Sequence, residues 1–220
     1  MTSQVIQNAV KAHKDLLVSN QEQFLRFTPL LRLLAEGKPV SPEEVATASH
    51  RSLEEIQAHL SGIEVDPEGN IVGWGLTLQP TPHQLHLGKQ TLYTWCALDA
   101  LLFPAFLGRA ARVISTCPVT GKEIRLTMTP EAILNLEPAS AVVSVRLPGE
   151  DTDFDNLQED ICNDGFFFVS RDVASTWPSL HPKAVVLSVE EAAQLAREFA
   201  SDMRSLAGEQ KPERHDSYSR

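Results

Sequence analysis

The sequence predicts an α+β protein, in which an N-terminal winged-helix-like helical domain packs on a mixed α+β domain with short antiparallel strands. Three observations predict it. Two apolar patterns of helical spacing open the chain, two short helix starts then lead into a hairpin, and short strand patterns alternate with helices beyond residue 80. The 220 residues are 42% hydrophobic and 22% charged, so we expect a sizeable core in one large or two small domains.

The N-terminal part begins with helical patterns. Residues 3–36 are predicted to form two helices, and the second could begin near Pro29, because proline is best tolerated in a first turn. Two short helices follow at Ser41-Pro42-Glu43-Glu44 and Ser52-Leu53-Glu54-Glu55. Each start combines an N-cap serine with a glutamate three residues later, which is the pattern of a capping box.

A hairpin is predicted next, with Ile63–Val65 as one strand, a turn at 66–70, and Ile71–Leu78 as the return strand. Helices followed by a hairpin are typical of a winged-helix module, whose second short helix would enter the DNA major groove. Residues 41–62 carry four glutamates and a single arginine. Because phosphate contact depends on positive charge, this composition favours a packing or lid domain over a DNA-binding one.

The second domain is predicted to start after a proline-containing linker, 79–82. We expect an edge strand at Gln84–Leu87, with Gly88 turning directly into an apolar helix. The predicted domains are therefore residues 1–80 and 81–206, followed by a polar, disordered tail at 207–220.

Further elements follow from local patterns. Residues 110–117 and 122–129 are predicted to pair as a second hairpin, and Thr129-Pro130-Glu131 to start a short helix. A capping box at Ser188–Glu191 opens an amphipathic helix that ends near Leu206. Strands are expected at 141–147, 166–169 and 184–187.

Composition excludes several classes of function. The net charge of −10 argues against a nucleic-acid surface, and no apolar run reaches the roughly 18 residues that span a bilayer. The N-terminus lacks the features of a signal peptide, so we expect a cytoplasmic protein. Three cysteines without CxxC spacing favour reduced thiols over disulfides, and the seven histidines show no zinc-site spacing. A resident metal cofactor is not predicted.

The most informative feature is the pair Cys96 and Asp99 in the apolar stretch Leu92–Phe103. An ionisable carboxyl is costly in such a stretch unless it has a task or a partner. If the stretch is helical, the two side chains share a face with Cβ atoms about 5–6 Å apart, so they could exchange a proton. Cys162 lies 66 residues further on, and only the fold could bring it close.

Each of these residues also has a simpler interpretation. Cys96 alone would more often be a small buried hydrophobe than a nucleophile. Asp99 could be a structural carboxylate satisfied by Arg109 or Arg112. Trp95 is most simply a core aromatic residue, or it lines a pocket beside the thiol.

The segment Leu92–Ala105, with Cys117 in the second hairpin and Cys162 before a phenylalanine-rich strand, resembles organomercurial lyase (alkylmercury lyase). The resemblance runs from about residue 28 to about residue 205. It implies a winged-helix-like domain on an α+β catalytic domain, and an enzyme of mercury resistance and detoxification. That enzyme cleaves the carbon–mercury bond of RHg⁺ with a proton and gives RH and Hg²⁺.

The resemblance also implies residue roles. Cys96 and Cys162 would be thiolate ligands of mercury, Asp99 would be the proton shuttle and a candidate third ligand, and Cys117 would be structural. Apart from the resemblance, Trp95 is expected to line the substrate pocket because its neighbour in the chain, Cys96, would be the nucleophile. General chemistry agrees, since mercury is a soft cation that prefers thiolates, and a departing carbanion equivalent requires an acid. We expect the leucines around Asp99 to raise its pKa toward neutrality.

No organic cofactor is expected, because mercury is substrate and product. Small cellular thiols would remove Hg²⁺ from Cys96 and Cys162, or mercuric reductase would accept it, as the resemblance implies. The alternative is a non-enzymatic soft-metal sensor or chaperone that uses the winged-helix module for DNA and the cysteines for mercury. The acidic helices at 41–62 and the carboxyl of Asp99 argue against it.

The chain between Arg146 and Arg171, which includes Cys162, contains seven acidic residues and no basic one. They are Glu150, Asp151, Asp153, Asp155, Glu159, Asp160 and Asp164. A solvated loop is one explanation. Attraction of cationic RHg⁺ is another, although the same charges would raise the pKa of the Cys162 thiol. The sequence leaves both open.

Overall fold

A computed structural model describes residues 2–209 of the chain, with side chains from Gln4 onward. The helices are α1 Thr2–Ser19, α2 Gln21–Leu34, α3 Pro42–Ser49, α4 Leu53–Gln57, α5 Ala97–Leu107, α6 Leu157–Asp160, α7 Trp177–Leu180 and α8 Val189–Leu206. The strands are β1 Glu64–Val65, β2 Ile71–Trp74, β3 Leu76–Thr77, β4 His83–Leu87, β5 Gln90–Thr94, β6 Ala111–Thr116, β7 Glu123–Met128, β8 Ile133–Glu137, β9 Val142–Arg146, β10 Phe167–Phe168 and β11 Ala184–Ser188.

Two sheets and the surrounding helices confirm the predicted α+β class. One sheet has eight strands in the order β1-β2-β3-β5-β4-β6-β7-β8, the other has three in the order β10-β9-β11, and the pairs are antiparallel. The larger sheet contains strands from both sides of residue 80. The division into 1–80 and 81–206 stays a prediction.

The N-terminal helices match the predicted pair, but the expectation that α2 begins near Pro29 is wrong. Pro29 lies inside α2, which starts at Gln21. The helix continues through the proline because its apolar face is fixed in the core, and this packing outweighs one missing hydrogen bond. The fully buried side chains of that face are Phe27, Leu30 and Leu34.

The two short helices begin where the sequence predicts. The hydroxyl of Ser41 accepts the N–H of Glu44, whose carboxylate accepts the N–H of Ser41, so the capping box is complete. Ser52 caps α4 by accepting the N–H of Glu55, but the predicted box is only half formed, because the Glu55 carboxylate binds Arg26 and Arg51 instead. An N-cap of this kind stabilises a short helix by about 1 kcal/mol.

The predicted return strand Ile71–Leu78 is interrupted. Gly75, with φ of +71°, makes a turn between β2 and β3, which then pair with each other. A Cβ at this position would lie 2.8 Å from Cζ of Phe103, so both conformation and space require glycine here. The carbonyl of Gly75 accepts the N–H of Trp95 at 2.9 Å, which ties the turn to the segment before α5.

Strand β4 was predicted to be an edge strand. This prediction is wrong, because β4 pairs with β5 on one side and β6 on the other. Gly88 therefore turns into β5 rather than directly into the apolar helix. The second hairpin is confirmed as β6 and β7. The prediction of a short helix at Thr129 is wrong. The Thr129 hydroxyl accepts hydrogen bonds from the N–H groups of Glu131 and Ala132, and the chain turns there into β8.

Helix α5 lies in the centre of the molecule and α8 packs along it. Nine of the eleven residues of α5 are buried, and Arg204 of α8 donates to the carbonyl of Ala105 at 2.6 Å. The predicted start of α8 is confirmed by a complete capping box between Ser188 and Glu191. The expected disordered tail falls outside the described residues from position 210 onward. Within the described part, no helix is both long enough and apolar enough to cross a bilayer.

Ser144 of β9 fastens the segment that follows Cys162 to the smaller sheet. Its buried hydroxyl donates to the carbonyl of Asp164 at 2.6 Å and accepts the N–H of Phe166 at 2.9 Å. We expect Ser144→Ala to lower the free energy of unfolding by about 1–3 kcal/mol, because the N–H of Phe166 loses its partner. Urea unfolding measures this change.

The matched control is Ser140→Ala, which removes an exposed hydroxyl that donates to the carbonyl of Val169 at 2.8 Å. We expect its effect to stay within about 0.5 kcal/mol. Equal losses for the two variants would contradict the proposed importance of Ser144.

Candidate active site

Cys96 lies at the junction between β5 and α5. It is the N-cap of α5, and its Sγ accepts the N–H of Asp99 at 3.4 Å. The following residue, Ala97, donates its N–H to the carbonyl of Gly165 at 2.9 Å. Backbone hydrogen bonds therefore fix the thiol at the positive end of a buried helix dipole, where a thiolate is favoured.

Asp99 lies in the first turn of α5, as the three-residue spacing predicted, and the fold brings Cys162 to the same place. One ligand atom from each of Cys96, Asp99 and Cys162 lies within 4.8 Å of the others. The Cys162 thiol donates to Oδ2 of Asp99 at 3.5 Å. Two soft ligands and one carboxyl thus face a common point.

Cys162 is positioned by its neighbour Asp164. The Asp164 carboxylate accepts from Arg146 at 3.2 Å and from His181 at 2.7 Å, and its carbonyl accepts the indole N–H of Trp177 at 3.2 Å. Asp164 is one of the seven acids of the acidic segment, yet it is partnered by bases from elsewhere in the chain. Sequence reasoning missed this anchoring role, because the partners are distant along the chain.

Gly165 allows the Cys162 segment to approach α5 closely. A Cβ at Gly165 would lie 2.8 Å from Cβ of Cys96 and 3.3 Å from its Sγ. The backbone conformation here is ordinary, so space alone requires the glycine. The contact between Gly165 and Cys96 therefore sets the distance between the two halves of the site.

The surroundings of Asp99 disfavour its charged form. Burial raises the pKa of Asp99 to about 6, although hydrogen bonds from the two cysteines act in the opposite direction. Among the described residues, its side-chain hydrogen bond is with Cys162, and Arg109 instead lies 3.8 Å from Glu36. The interpretation of Asp99 as a carboxylate satisfied by an arginine therefore has no support in the geometry.

Both thiols are protonated at neutral pH. Burial raises the pKa of Cys96, while its contact with Cys162 and the hydrogen bond from the Asp99 N–H partly oppose the rise. The pKa of Cys162 is raised further, first by its contact with Cys96 and then by burial and the charge of Asp99. Cys96 is therefore the easier of the two to ionise.

An apolar cavity of about 100 Å³ opens onto the three groups. Trp95 lines it, and its indole N–H is held by the carboxylate of Glu64 at 2.8 Å. Phe103 and Phe154 contribute further apolar wall. Such a cavity suits the hydrocarbon part of a small molecule whose reactive end meets the thiols.

Cys117 lies apart from this cluster, at the turn between β6 and β7. Burial raises the pKa of its thiol, but hydrogen bonds from the Thr120 hydroxyl and from backbone N–H groups outweigh it, so the pKa is lowered overall. The backbone of Cys117 closes the turn through hydrogen bonds with Gly121 and Lys122. Its place in the hairpin agrees with the expected structural cysteine.

The N-terminal helix supplies residues that sequence reasoning did not assign to the site. His13, Leu16 and Leu17 of α1 line the cavity. A signal was present, since Ala9, His13 and Leu17 recur every four residues and therefore share one helix face. The pattern shows that the face is buried, but it does not show against what.

A family model described as alkylmercury lyase matches residues 76–201, and one described as the helix-turn-helix domain of alkylmercury lyase matches residues 18–75. An alkylmercury lyase of Staphylococcus epidermidis is 42% identical over 178 residues, which is 80% of this chain and 81% of the relative. One of Pseudomonas putida is 44% identical over 169 residues, covering 76% and 78% of the two chains.

A solved structure shares the fold. It is the crystal structure of the mercury-bound form of MerB2, which superposes with a TM-score of 0.73 at 24% identity and covers 90% of this chain and 99% of its own. The winged-helix-like prediction for the N-terminal part corresponds to the matched helix-turn-helix domain. With more than half of its length in the catalytic-domain match and relatives above 40% identity over most of their length, the chain belongs to the alkylmercury lyase family of enzymes.

Proposed function

We propose that the protein cleaves the carbon–mercury bond of RHg⁺ by protonolysis, with Cys96 and Cys162 as thiolate ligands of mercury and Asp99 as the proton shuttle. The observation that carries the proposal is the convergence of two thiols and one carboxyl within 4.8 Å at the end of an apolar cavity. The free enzyme with two thiols reacts with RHg⁺ to give RH, the dithiolate complex of Hg²⁺ and one released proton.

Cys96 captures the substrate first. It is the easier thiol to ionise, because it accepts a hydrogen bond from the Asp99 N–H at the N-terminus of α5. Its sulfur forms the first bond to mercury and its proton leaves to solvent. The apolar organic group enters the cavity beside Trp95, where burial from water favours it.

Cys162 then completes the mercury site. Its thiol already donates to Oδ2 of Asp99, so its proton passes to the carboxylate as the second sulfur–mercury bond forms. Two thiolates raise the electron density on mercury and weaken the bond to carbon. Asp99 returns the proton to carbon as that bond breaks, so the same group serves first as base and then as acid. In this step Asp99 is also the candidate third ligand of mercury.

Product release depends on competing thiols. Hg²⁺ held by two buried thiolates leaves when small cellular thiols exchange with Cys96 and Cys162, or when mercuric reductase accepts the ion. The reaction uses no organic cofactor, because proton and ligands come from the protein. A cytoplasmic location suits the proposal, since both cysteines must remain reduced.

The direct test is catalytic turnover. With phenylmercury and excess thiol, we expect more than one equivalent of benzene per protein, measured by gas chromatography. Cys96→Ser is the control and should release none. One equivalent of bound mercury without benzene would instead favour the alternative, a non-enzymatic mercury sensor or chaperone.

The second prediction concerns Asp99→Asn. The variant keeps both thiols, so it should bind one equivalent of phenylmercury while turnover falls by about 10²–10⁴-fold, the usual contribution of a positioned acid–base group. Asp172→Asn, which changes an exposed carboxyl, should retain wild-type turnover. Equal turnover in the Asp99 variant and the wild type would exclude the shuttle.

The stability of the same variant separates catalysis from a structural role. The pKa of Asp99 rises from its ordinary 3.8 to about 6 on folding, so its contribution to stability is complete below pH 3.8 and is lost as the pH rises to about 6. Asparagine stays neutral, so at pH 7 the variant should gain up to about 3 kcal/mol over the wild type. A carboxylate held by a structural ion pair would show a loss instead.

The third prediction is the pH dependence of kcat/KM, which reports the free enzyme. Asp99 must be ionised to accept the Cys162 proton, so kcat/KM should fall about tenfold per pH unit below an apparent pKa of about 6. Stopped-flow cleavage between pH 4.5 and 8 measures it. A profile that stays flat to pH 4.5 would remove Asp99 from the proton path.

A further inference from the structure

His13 is a polar side chain in the otherwise apolar wall that α1 presents to the cavity. Only 3% of its surface is exposed. Helix α1 is held against α8, where the His13 ring meets Phe199 edge-on at 5.3 Å between centroids and Lys14 lies 3.5 Å from Asp202. The ring is therefore fixed in place, and its position in the wall is a property of the folded chain.

The hydrogen bonding of the ring defines its tautomer. Nδ1 lies 2.8 Å from the carbonyl of Ala9, and because a carbonyl only accepts, Nδ1 carries the proton. Burial lowers the pKa of His13, so the ring is neutral at pH 7. Nε2, on the edge of the ring that faces away from this carbonyl, therefore presents a lone pair.

Nε2 has no hydrogen-bond partner among the side chains and backbone that the structure describes. A buried acceptor without a partner is costly, and native proteins retain few of them without a reason. The indole N–H of Trp95, which also lines the cavity, cannot serve as the donor, because it is bound to Glu64. A donor carried into the cavity by a ligand would satisfy Nε2 once the side chains around this buried atom move aside.

We propose that His13 is a specificity-determining residue, which accepts a hydrogen bond at Nε2 from a hydroxyl or N–H group on the organic part of the mercurial. The inference rests on the proposed function, since it assigns the substrate class of that same cavity. His13 is not part of the group of ligand atoms within 4.8 Å that Cys96, Asp99 and Cys162 form. It therefore contacts the organic group and not mercury.

The size of the cavity narrows the substrate class further. The cavity has a volume of about 100 Å³, which favours a compact organic group. Short aliphatic groups therefore suit it. The favoured substrates are hydroxyalkyl- or aminoalkyl-mercurials of three or four carbons, and a carboxylate at the same end would be rejected because it meets a second acceptor.

The test compares two isosteric substrates, 3-hydroxypropylmercury and n-butylmercury, in three proteins. In His13→Leu we expect kcat/KM for the hydroxypropyl substrate to fall about tenfold relative to kcat/KM for butylmercury, which is the value of one buried hydrogen bond. Each protein is measured with both substrates. The change in kcat/KM for one substrate is divided by the change for the other, and this ratio cancels the intrinsic reactivity of the two substrates.

His59→Leu is the matched control. His59 makes the same contact, Nδ1 to the carbonyl of Glu55 at 2.8 Å, but it is exposed and does not line the cavity. This variant should leave kcat/KM unchanged for both substrates. If His13→Leu changes kcat/KM by the same factor for the two substrates, His13 is only a structural part of the wall and the inference is overturned.

A measurement without mercury separates this inference from the proposed function. Titration of the wild type with 1-butanol should shift the ¹⁵N resonance of His13 Nε2 upfield, as expected when a neutral imidazole nitrogen accepts a hydrogen bond. A resonance that does not move at saturating alcohol overturns the inference. If the resonance moves but neither mercurial is cleaved, the acceptor site stands and the proposed function fails.

Discussion

The close contact between Gly165 and Cys96 is the constraint on which the site depends. Ala97 donates to the Gly165 carbonyl, and the missing side chain of Gly165 leaves room for the Cys96 thiol. This contact joins the start of α5 to the segment carrying Cys162, two parts of the chain with no local reason to meet. Asp164 and Ser144 hold the far side of that segment on β9. The two thiols converge because a backbone contact, rather than a bond between them, fixes their separation.

Burial of the carboxyl gives the site its chemical character. An aspartate in an apolar helix lowers stability once it ionises, and the same burial raises its pKa into the range where it can both take and return a proton. Burial also raises the pKa of both thiols, and the pKa of Cys162 is raised more than that of Cys96. The order of ionisation, Cys96 before Cys162, follows from the N-cap position of Cys96 and the hydrogen bond that Cys162 donates.

The N-terminal helices belong to the cavity as much as to the helix-turn-helix region. Helix α1 supplies His13, Leu16 and Leu17, and α2 supplies Phe24 and Leu31. Their apolar faces are therefore used for packing around the reactive groups. These three residues of α1 precede the part of the chain that matches the helix-turn-helix family model, which begins at residue 18. Differences in this helix can change the cavity wall without altering the thiols or the carboxyl.

The sequence by itself determined the α+β class, the capped starts of α3, α4 and α8, the second hairpin, and the pairing of Cys96 with Asp99, because these depend on contacts within a few residues. Only the tertiary structure decided that Pro29 lies inside a helix, that β4 is internal, and that α1 lines the cavity. Each of these three features depends on packing between segments that are far apart along the chain. The meeting of Cys162 with the other two groups was implied by family resemblance, but its physical cause at Gly165 is a steric fit between segments far apart along the chain, which no local pattern encodes.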